Sequence, residues 1–355
     1  MKILFEVGST AIGGAERVVL KLAKGLRRRF PQWGLDCVVL YEHGGLREEY
    51  EAAFDNLWPP PPRYADSGAY IANLVAEHGY QIVHCIDAFE HTCVAAQLCP
   101  RARFIQAVYP NVEKSPFAPA KDWDVSGYSA IVTEFKANLE RLPKPGRSPH
   151  ILRAIPNGID TDFWIPGIDR RCVDVTWCAR TDEEKGIQTA LELVPLLCSK
   201  GLVYRIVTNE ADGPQADLAA LKAEHPSFSY ASALPAERLR HLLQQTKFFL
   251  STSTVEGMPA TPLEAAACGC WVMGWGIDGL LECFAEAHCL IPPECGTVNF
   301  AEIIDEFLVG VHNGRAKDLA APDSPGGFGR MRKIAEKYSL TEMIEKYVKL
   351  YQRLL

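Results

Sequence analysis

No apolar run in this sequence approaches the ~20 residues needed to cross a bilayer. Nor is there a surplus of positive charge, since 37 Lys and Arg stand against 44 Asp and Glu, a formal net charge of −7. The first shortage argues against a membrane-spanning chain, and the second against a nucleic-acid binder, which must neutralise phosphates with Lys and Arg. The opening stretch from Met1 is broken at Glu6 and enters a glycine-rich turn, too short a run for a signal peptide. The 12 cysteines form no Cys-x-x-Cys pair and lie mostly in apolar segments, as at Cys37, Cys85, Cys172, Cys178 and Cys289. Such placement fits reduced, core-packed thiols better than a disulfide framework or a zinc site. The expectation is a cytoplasmic protein that at most touches the inner face of a membrane. The full Gly-x-Gly-x-x-Gly fingerprint is also missing, which argues against a dehydrogenase.

What is present is a long alternation of strand and helix patterns. At 355 residues the chain exceeds the ~250–300 that a single core supports. In the first half, strand patterns run at Lys2 to Val7, Asp36 to Tyr41, Gln81 to Ile86, Phe104 to Val108, Ala130 to Thr133 and His150 to Ile155. Helical patterns lie at Val18 to Leu26, Ala69 to His78 and Glu134 to Leu142, with an extended proline stretch from Trp58 to Pro62. After a stretch without clear period, a second series begins at Val173 and ends in an amphipathic helix from Thr341. Alternation of this kind predicts an α/β fold with a covered parallel sheet in each half. The expected division is 1–160, a linker 161–172, a second domain 173–337 and a terminal helix 338–355.

Open parallel sheets bind ligands at the carboxyl ends of their strands, so the polar residues there are the candidates. One stretch is central: an apolar strand end at Phe248 to Leu250, the loop Glu256-Gly257-Met258-Pro259-Ala260-Thr261, then a helical run containing Glu264. A helix start offers free N–H groups and partial positive charge to a phosphate. Glu264 either holds ligand hydroxyls from within an apolar run or simply faces solvent in the first turn. Arg180 and Lys185 share an earlier loop; they form a fork and a point charge for a diphosphate, or local ion pairs with Asp182, Glu183 and Glu184. In the first half, Gly13-Gly14 follows the first strand, most simply as a tight turn. His84, Asp87, His91 and Tyr109 fall at or just after strand ends, and Asn157 lies in Pro156-Asn-Gly-Ile-Asp160. The run Arg27 to Arg29 is a solvated helix end or a contact for an anionic surface.

Taken together, Gly13-Gly14-Ala-Glu-Arg, Pro156-Asn-Gly-Ile-Asp160, Arg180 with Lys185 and Gly186, and Glu256-x7-Glu264 resemble, in order and spacing, the glycosyltransferases of family 4. The likeness covers nearly the whole chain. It implies the GT-B architecture: two Rossmann-like domains facing each other across a cleft, with the terminal helix crossing back onto the first. It also implies retaining transfer of a sugar from a nucleoside-diphosphate sugar to a hydroxyl on a glycan or lipid-linked acceptor. No metal and no cofactor are implied. Arg180 and Lys185 would hold the donor pyrophosphate and stabilise the leaving diphosphate, Glu264 the ribose, and Glu256 the transferred sugar. Main-chain groups of Gly257, Met258, Ala260 and Thr261 would cradle phosphate and sugar, with Gly13 and Gly14 approaching the donor closely. His84, Asp87, Tyr109 and Asn157 are the candidate sugar or acceptor contacts. Three positions depart from the family pattern: Pro259 replaces a common Gly, Tyr109 a common His, and Thr208-Asn209 a Gly-x-Gly turn. The same fold also leaves a nucleotide-sugar epimerase or hydrolase as an alternative, and Pro259 and Tyr109 leave a non-catalytic nucleotide-sugar-binding protein.

Overall fold

The computed structural model describes residues 1–11, 13–86, 89–109, 123–142, 151–167, 171–208, 214–287, 290–292, 295–312 and 328–355. The chain divides into two compact units, Met1–Gly158 with Leu340–Leu355, and Ile159–Ser339.

The first unit holds β1 (Lys2–Ser9), α1 (Gly14–Arg29), β2 (Gly34–Glu42), α2 (Arg47–Ala53), β3 (Asn56–Trp58), α3 (Ser67–His78), β4 (Ile82–Cys85), α4 (Phe89–Leu98), β5 (Arg103–Val108), β6 (Ala130–Thr133), α5 (Lys136–Arg141) and β7 (Ile151–Ala154). All its strands are parallel, in the order β3-β2-β1-β4-β5-β6-β7. The strands read as continuous apolar runs because both faces are covered; Ile3, Phe5, Val39, Ile82 and Ile105 are all buried. Helix α1 buries Val18, Val19, Leu22, Ala23 and Leu26, an apolar stripe at helical spacing. Its last turn carries Arg27, Arg28 and Arg29, favourable at the negative end of the helix dipole. Arg27 pairs with Asp55 at 2.9 Å and Arg29 with Glu345 at 3.1 Å, so much of that basic run is engaged inside its own unit.

The second unit holds β8 (Val173–Ala179), α6 (Ile187–Ser199), β9 (Tyr204–Thr208), α7 (Gln215–Glu224), β10 (Phe228–Ser232), α8 (Ala236–Gln244), β11 (Thr246–Ser251), α9 (Ala260–Ala267), β12 (Trp271–Trp275), α10 (Asp278–Phe284), β13 (Leu290–Ile291), α11 (Gly296–His312) and α12 (Phe328–Glu336). Its strands are again parallel, in the order β10-β9-β8-β11-β12-β13, around a core that includes Trp177, Tyr204, Phe249 and Phe284. Helix α13 (Leu340–Leu354) then returns to the first unit and buries Met343, Ile344, Tyr347, Val348, Leu350 and Tyr351 there. Two glycines allow this: a Cβ at Gly25 would lie 2.0 Å from Ile344, and one at Gly158 would lie 2.5 Å from the Cα of Leu340.

Several expectations need correction. The described start of the expected linker, 161–167, is tied to the second unit: Trp164 is buried in the second core with Ile159, and Asp160 accepts the N–H groups of Asp162 and Phe163. Trp58 ends a short edge strand rather than starting an extended connection, its indole donating to the Tyr80 hydroxyl at 3.0 Å. Cys172 is exposed rather than core-packed, and Cys289 lies outside the described residues, as do the loop 143–150 and Asn209. Helix α9 starts at Ala260, so Pro259 is its N-cap and Pro262 its third residue.

Candidate functional site

In the second sheet the strand order reverses between β8 and β11, which lie side by side while their crossovers run in opposite directions. A doubly wound sheet opens its ligand crevice at such a point, just beyond the carboxyl ends. The loop that leaves β8 carries Arg180 and Lys185, and the loop that leaves β11 carries Glu256.

These loops are joined by their own backbones. Thr252 is fully buried; its hydroxyl accepts the Trp177 indole N–H at 2.7 Å and is directed at the carbonyls of Lys185 and Gly186, 2.9 Å from each. The Thr254 N–H donates to the Glu184 carbonyl at 2.8 Å. Gly186 makes the approach feasible, because its φ is +67° and a Cβ there would lie 2.2 Å from the Thr252 carbonyl oxygen. Lys185 is held from the other side, its own N–H donating to the Asp182 carboxylate at 3.1 Å.

The result is a cross-loop ion pair: Lys185 Nζ lies 2.8 Å from Glu256 Oε1, with side-chain exposures of 18% and 12%. Ser253 donates its hydroxyl to the same oxygen at 2.7 Å. Among the described residues Glu256 Oε2 accepts no hydrogen bond, and two of the three Lys185 ammonium donors are unused. At low exposure such a pair is stronger than a surface bridge, yet each partner retains capacity for a ligand.

Arg180 behaves differently. Its guanidinium pairs with Asp182 of its own loop at 3.1 Å and is 56% exposed, so the expected convergence of both cations reduces to Lys185 alone. At the start of α9 the Ala260 N–H donates to the Met258 carbonyl and the Leu263 N–H to Pro259, while Pro262 has none. Ala260 is therefore no free amide for a ligand. The N–H groups of Gly257 and Thr261 have no protein acceptor among the described residues. Pro259 removes no needed donor, since an N-cap contributes its carbonyl. Met258 packs partly against the core. Glu264 is half-buried rather than solvent-facing, and lies close enough to β8 that its charge adds to burial in pushing the Cys178 thiol up to about 12.

The candidates of the first unit divide. Gly13 is the N-cap of α1, and a Cβ there would lie 2.1 Å from the Glu16 carboxylate; around Gly14 the protein leaves open space. Asp87 lies outside the described residues. His84 is not at the open edge but in the core: it has no exposed surface, stacks on Phe5 at 5.2 Å and shares a 2.6 Å hydrogen bond with the Tyr351 hydroxyl. Burial depresses its pKa to about 3, so the ring is neutral. The Tyr109 hydroxyl is likewise buried, beside that of Tyr347 but without a well-formed hydrogen bond; burial first, and Tyr347 second, hold it well above the usual phenol range. Asn157 donates to Glu134 at 2.8 Å, and the next residue, Gly158, meets the root of α13. The structure thus moves His84 and the Tyr109 hydroxyl from ligand contacts to groups enclosed by packing against α13, while Asn157 is half-buried and held by Glu134. Their strand-end positions were right, and a terminal helix returning to this unit was expected, but which strand ends it covers was not visible in the sequence.

Residues 173–309 match a family model described as Glycosyl transferases group 1, and residues 12–163 match Glycosyltransferase Family 4. The chain belongs to the family-4 glycosyltransferases. A subunit of human phosphatidylinositol N-acetylglucosaminyltransferase is 24% identical over 229 residues, 63% of this chain and 45% of that protein. The alpha-maltose-1-phosphate synthase of Mycolicibacterium smegmatis is 23% identical over 230 residues, 59% and 58% respectively. The chain spans about half the length of the curated relatives it matches. A crystal structure of a glycosyltransferase from Rickettsia africae ESF-5 superposes with a TM-score of 0.77 at 17% identity, covering 99% of this chain and 98% of that one. Anabaena Alr3699/HepE, solved in complex with UDP-glucose, gives 0.72 at 15%, covering 99% and 100%. At these identities the likeness speaks for the fold, the α/β fold of GT-B glycosyltransferases.

For this family-4 glycosyltransferase, sequence reasoning missed the residues that hold the two loops together. Gly186 was visible only as part of a motif, and Thr252-Ser253-Thr254 was not singled out. The signal was the run of four hydroxyl residues from Ser251 to Thr254, between an apolar strand and a glutamate. Gly279 is a further case, because a Cβ there would lie 1.6 Å from the Gly257 carbonyl oxygen. A separate cavity of about 270 Å³ between β9, β10 and α8 is lined by Arg205, Tyr230, Arg238 and His241, and contains none of the site residues above. Among the described residues no group of three His, Cys, Asp or Glu side chains is placed to share a metal, and no helix is long and apolar enough to cross a membrane.

Proposed function

We propose that this protein moves a sugar from a nucleoside-diphosphate sugar to a hydroxyl of a glycan or lipid-linked acceptor, with the anomeric configuration retained. The observation that carries this reading is the meeting of Lys185 and Glu256 at the strand-order reversal of the second sheet, 2.8 Å apart and largely shielded. An ammonium beside a carboxylate with an unused oxygen suits a ligand that has both an anionic group and hydroxyls. Lys185 takes the β-phosphate, aided by the Gly257 and Thr261 N–H groups and the dipole at the start of α9. Glu256 accepts from sugar hydroxyls, and Glu264 from the ribose. Exposed Arg180 turns from Asp182 to the diphosphate as a second, weaker contact.

In the reaction the bond from the anomeric carbon to the diphosphate oxygen breaks and a bond to the acceptor oxygen forms. The acceptor proton passes to the departing diphosphate. Lys185 and the oriented amides stabilise the charge that accumulates there, a contribution of about 3–4 kcal/mol for a well-placed donor. That set of cations and dipoles supplies the charge without a metal ion in this scheme. The relatives support the classes: the human protein's name specifies a phosphatidylinositol acceptor and an N-acetylglucosaminyl donor, and the Anabaena structure contains UDP-glucose.

The test is binding followed by turnover. A panel of UDP, GDP and ADP is expected to raise the melting temperature with one clear preference, and the matching sugar nucleotides to be consumed only when an acceptor is present. Consumption without acceptor indicates a hydrolase. Interconversion of the donor sugar indicates an epimerase, and binding without either a non-catalytic protein.

A further inference from the structure

The Lys185–Glu256 pair closes the diphosphate site against itself. Lys185 Nζ is the cation nearest a phosphate in the reading above, and it is already occupied by a carboxylate at 2.8 Å that Ser253 steadies from the other side at 2.7 Å. Both loops are fixed by Thr252, Thr254 and Gly186, so the pair is a rigid feature of the fold and not a chance meeting of two long side chains. The two ammonium donors that Glu256 leaves unused can meet a phosphate, but the charge of Lys185 is already offset by that carboxylate, so an incoming diphosphate competes with Glu256 for it and also brings its own negative charge up to the carboxylate. A donor with its sugar attached offers hydroxyl donors to Glu256 in exchange. A nucleoside diphosphate that has lost its sugar offers none.

We propose that Glu256 is a specificity-determining residue that competes with diphosphate for Lys185 and so favours the sugar-bearing donor over the spent nucleoside diphosphate, speeding product release. The inference rests on the donor-site reading, and its test separates the two. Calorimetric titration of the full chain with UDP, GDP and ADP, and with UDP-glucose, GDP-mannose and ADP-glucose, is compared among wild type, Glu256→Gln, Lys185→Ala and the double variant. Glu256→Gln is expected to bind the preferred nucleoside diphosphate about tenfold more tightly, an order of magnitude set by one charged hydrogen bond, and its sugar nucleotide no better or worse. In the Lys185→Ala background the same substitution should leave diphosphate affinity unchanged, because the contested cation is gone.

If Glu256→Gln melts early, Glu256→Ala read in the same cycle carries the same expectation. Equal diphosphate affinity in wild type and Glu256→Gln overturns the competition while the donor site stands. Tightening of equal size without Lys185 also overturns it, since it would reflect plain charge repulsion. Absence of binding by every protein in the set overturns the donor site and the competition together.

Discussion

The two units carry polar side chains to the same kind of place, just past the carboxyl ends of a parallel sheet, yet what becomes of them differs. In the first unit, His84 and the Tyr109 hydroxyl end up enclosed beside α13, with the Tyr351 hydroxyl bonded to the imidazole and Tyr347 beside the phenol. In the second, Lys185 and Glu256 come from two different loops and meet in a shielded but accessible position, at 18% and 12% exposure. Sheet topology selects the edge at which a polar residue emerges. Whether that residue is left to a ligand depends on what packs over it, which is decided by chain far away in sequence.

This contrast predicts its own most severe break. Replacing Lys185 by Ala is expected to lower kcat/KM for the sugar nucleotide by about 100-fold or more, with some loss of thermal stability because the shielded Glu256 carboxylate is left unpaired. His84→Gln should leave nucleotide affinity at the wild-type value while lowering stability; a loss of affinity there would erase the distinction between the units. Next in size is Gly186→Ala, which puts a Cβ 2.2 Å from the Thr252 carbonyl oxygen at φ +67°. It should destabilise the second unit by about 1–3 kcal/mol and reduce turnover by separating Lys185 from Glu256, read by urea unfolding alongside steady-state kinetics.

The pH response of the first unit sharpens the comparison further. Burial holds His84 at about 3 against an ordinary 6.5, so the unfolded chain binds a proton that the native ring refuses. The stability contributed by the neutral ring is complete above pH 6.5 and is lost as pH falls from 6.5 toward 3, at up to about 1.4 kcal/mol per pH unit. His84→Gln should flatten that slope in melts taken across this range. The smallest effect is expected from Arg180→Ala. Exposed and paired within its own loop, Arg180 should change donor KM less than tenfold.

Much of the fold was legible because the buried parallel strands read as apolar runs; the strand Ala130–Thr133 and the helix Ser67–His78 fall where the pattern places them. Short edge elements such as Asn56–Trp58 were not, since three residues beside a proline run carry too little pattern. That Lys185 and Glu256 sit in the loops beyond neighbouring strands was legible from type and spacing. The ion pair between them was not, because it depends on the Thr252 hydroxyl reaching across to a neighbouring loop. His84 was misread because a histidine at a strand end looks alike whether it faces solvent or a returning helix.

The most direct test of the central claim is a crystal structure with the nucleoside diphosphate that melts the protein latest. The diphosphate is expected beyond β8 and β11, with Lys185 Nζ and the Thr261 N–H each about 3 Å from a phosphate oxygen. A diphosphate bound elsewhere, for instance against Arg205 and Arg238 in the cavity beside β10, with the Lys185–Glu256 pair undisturbed, would contradict it.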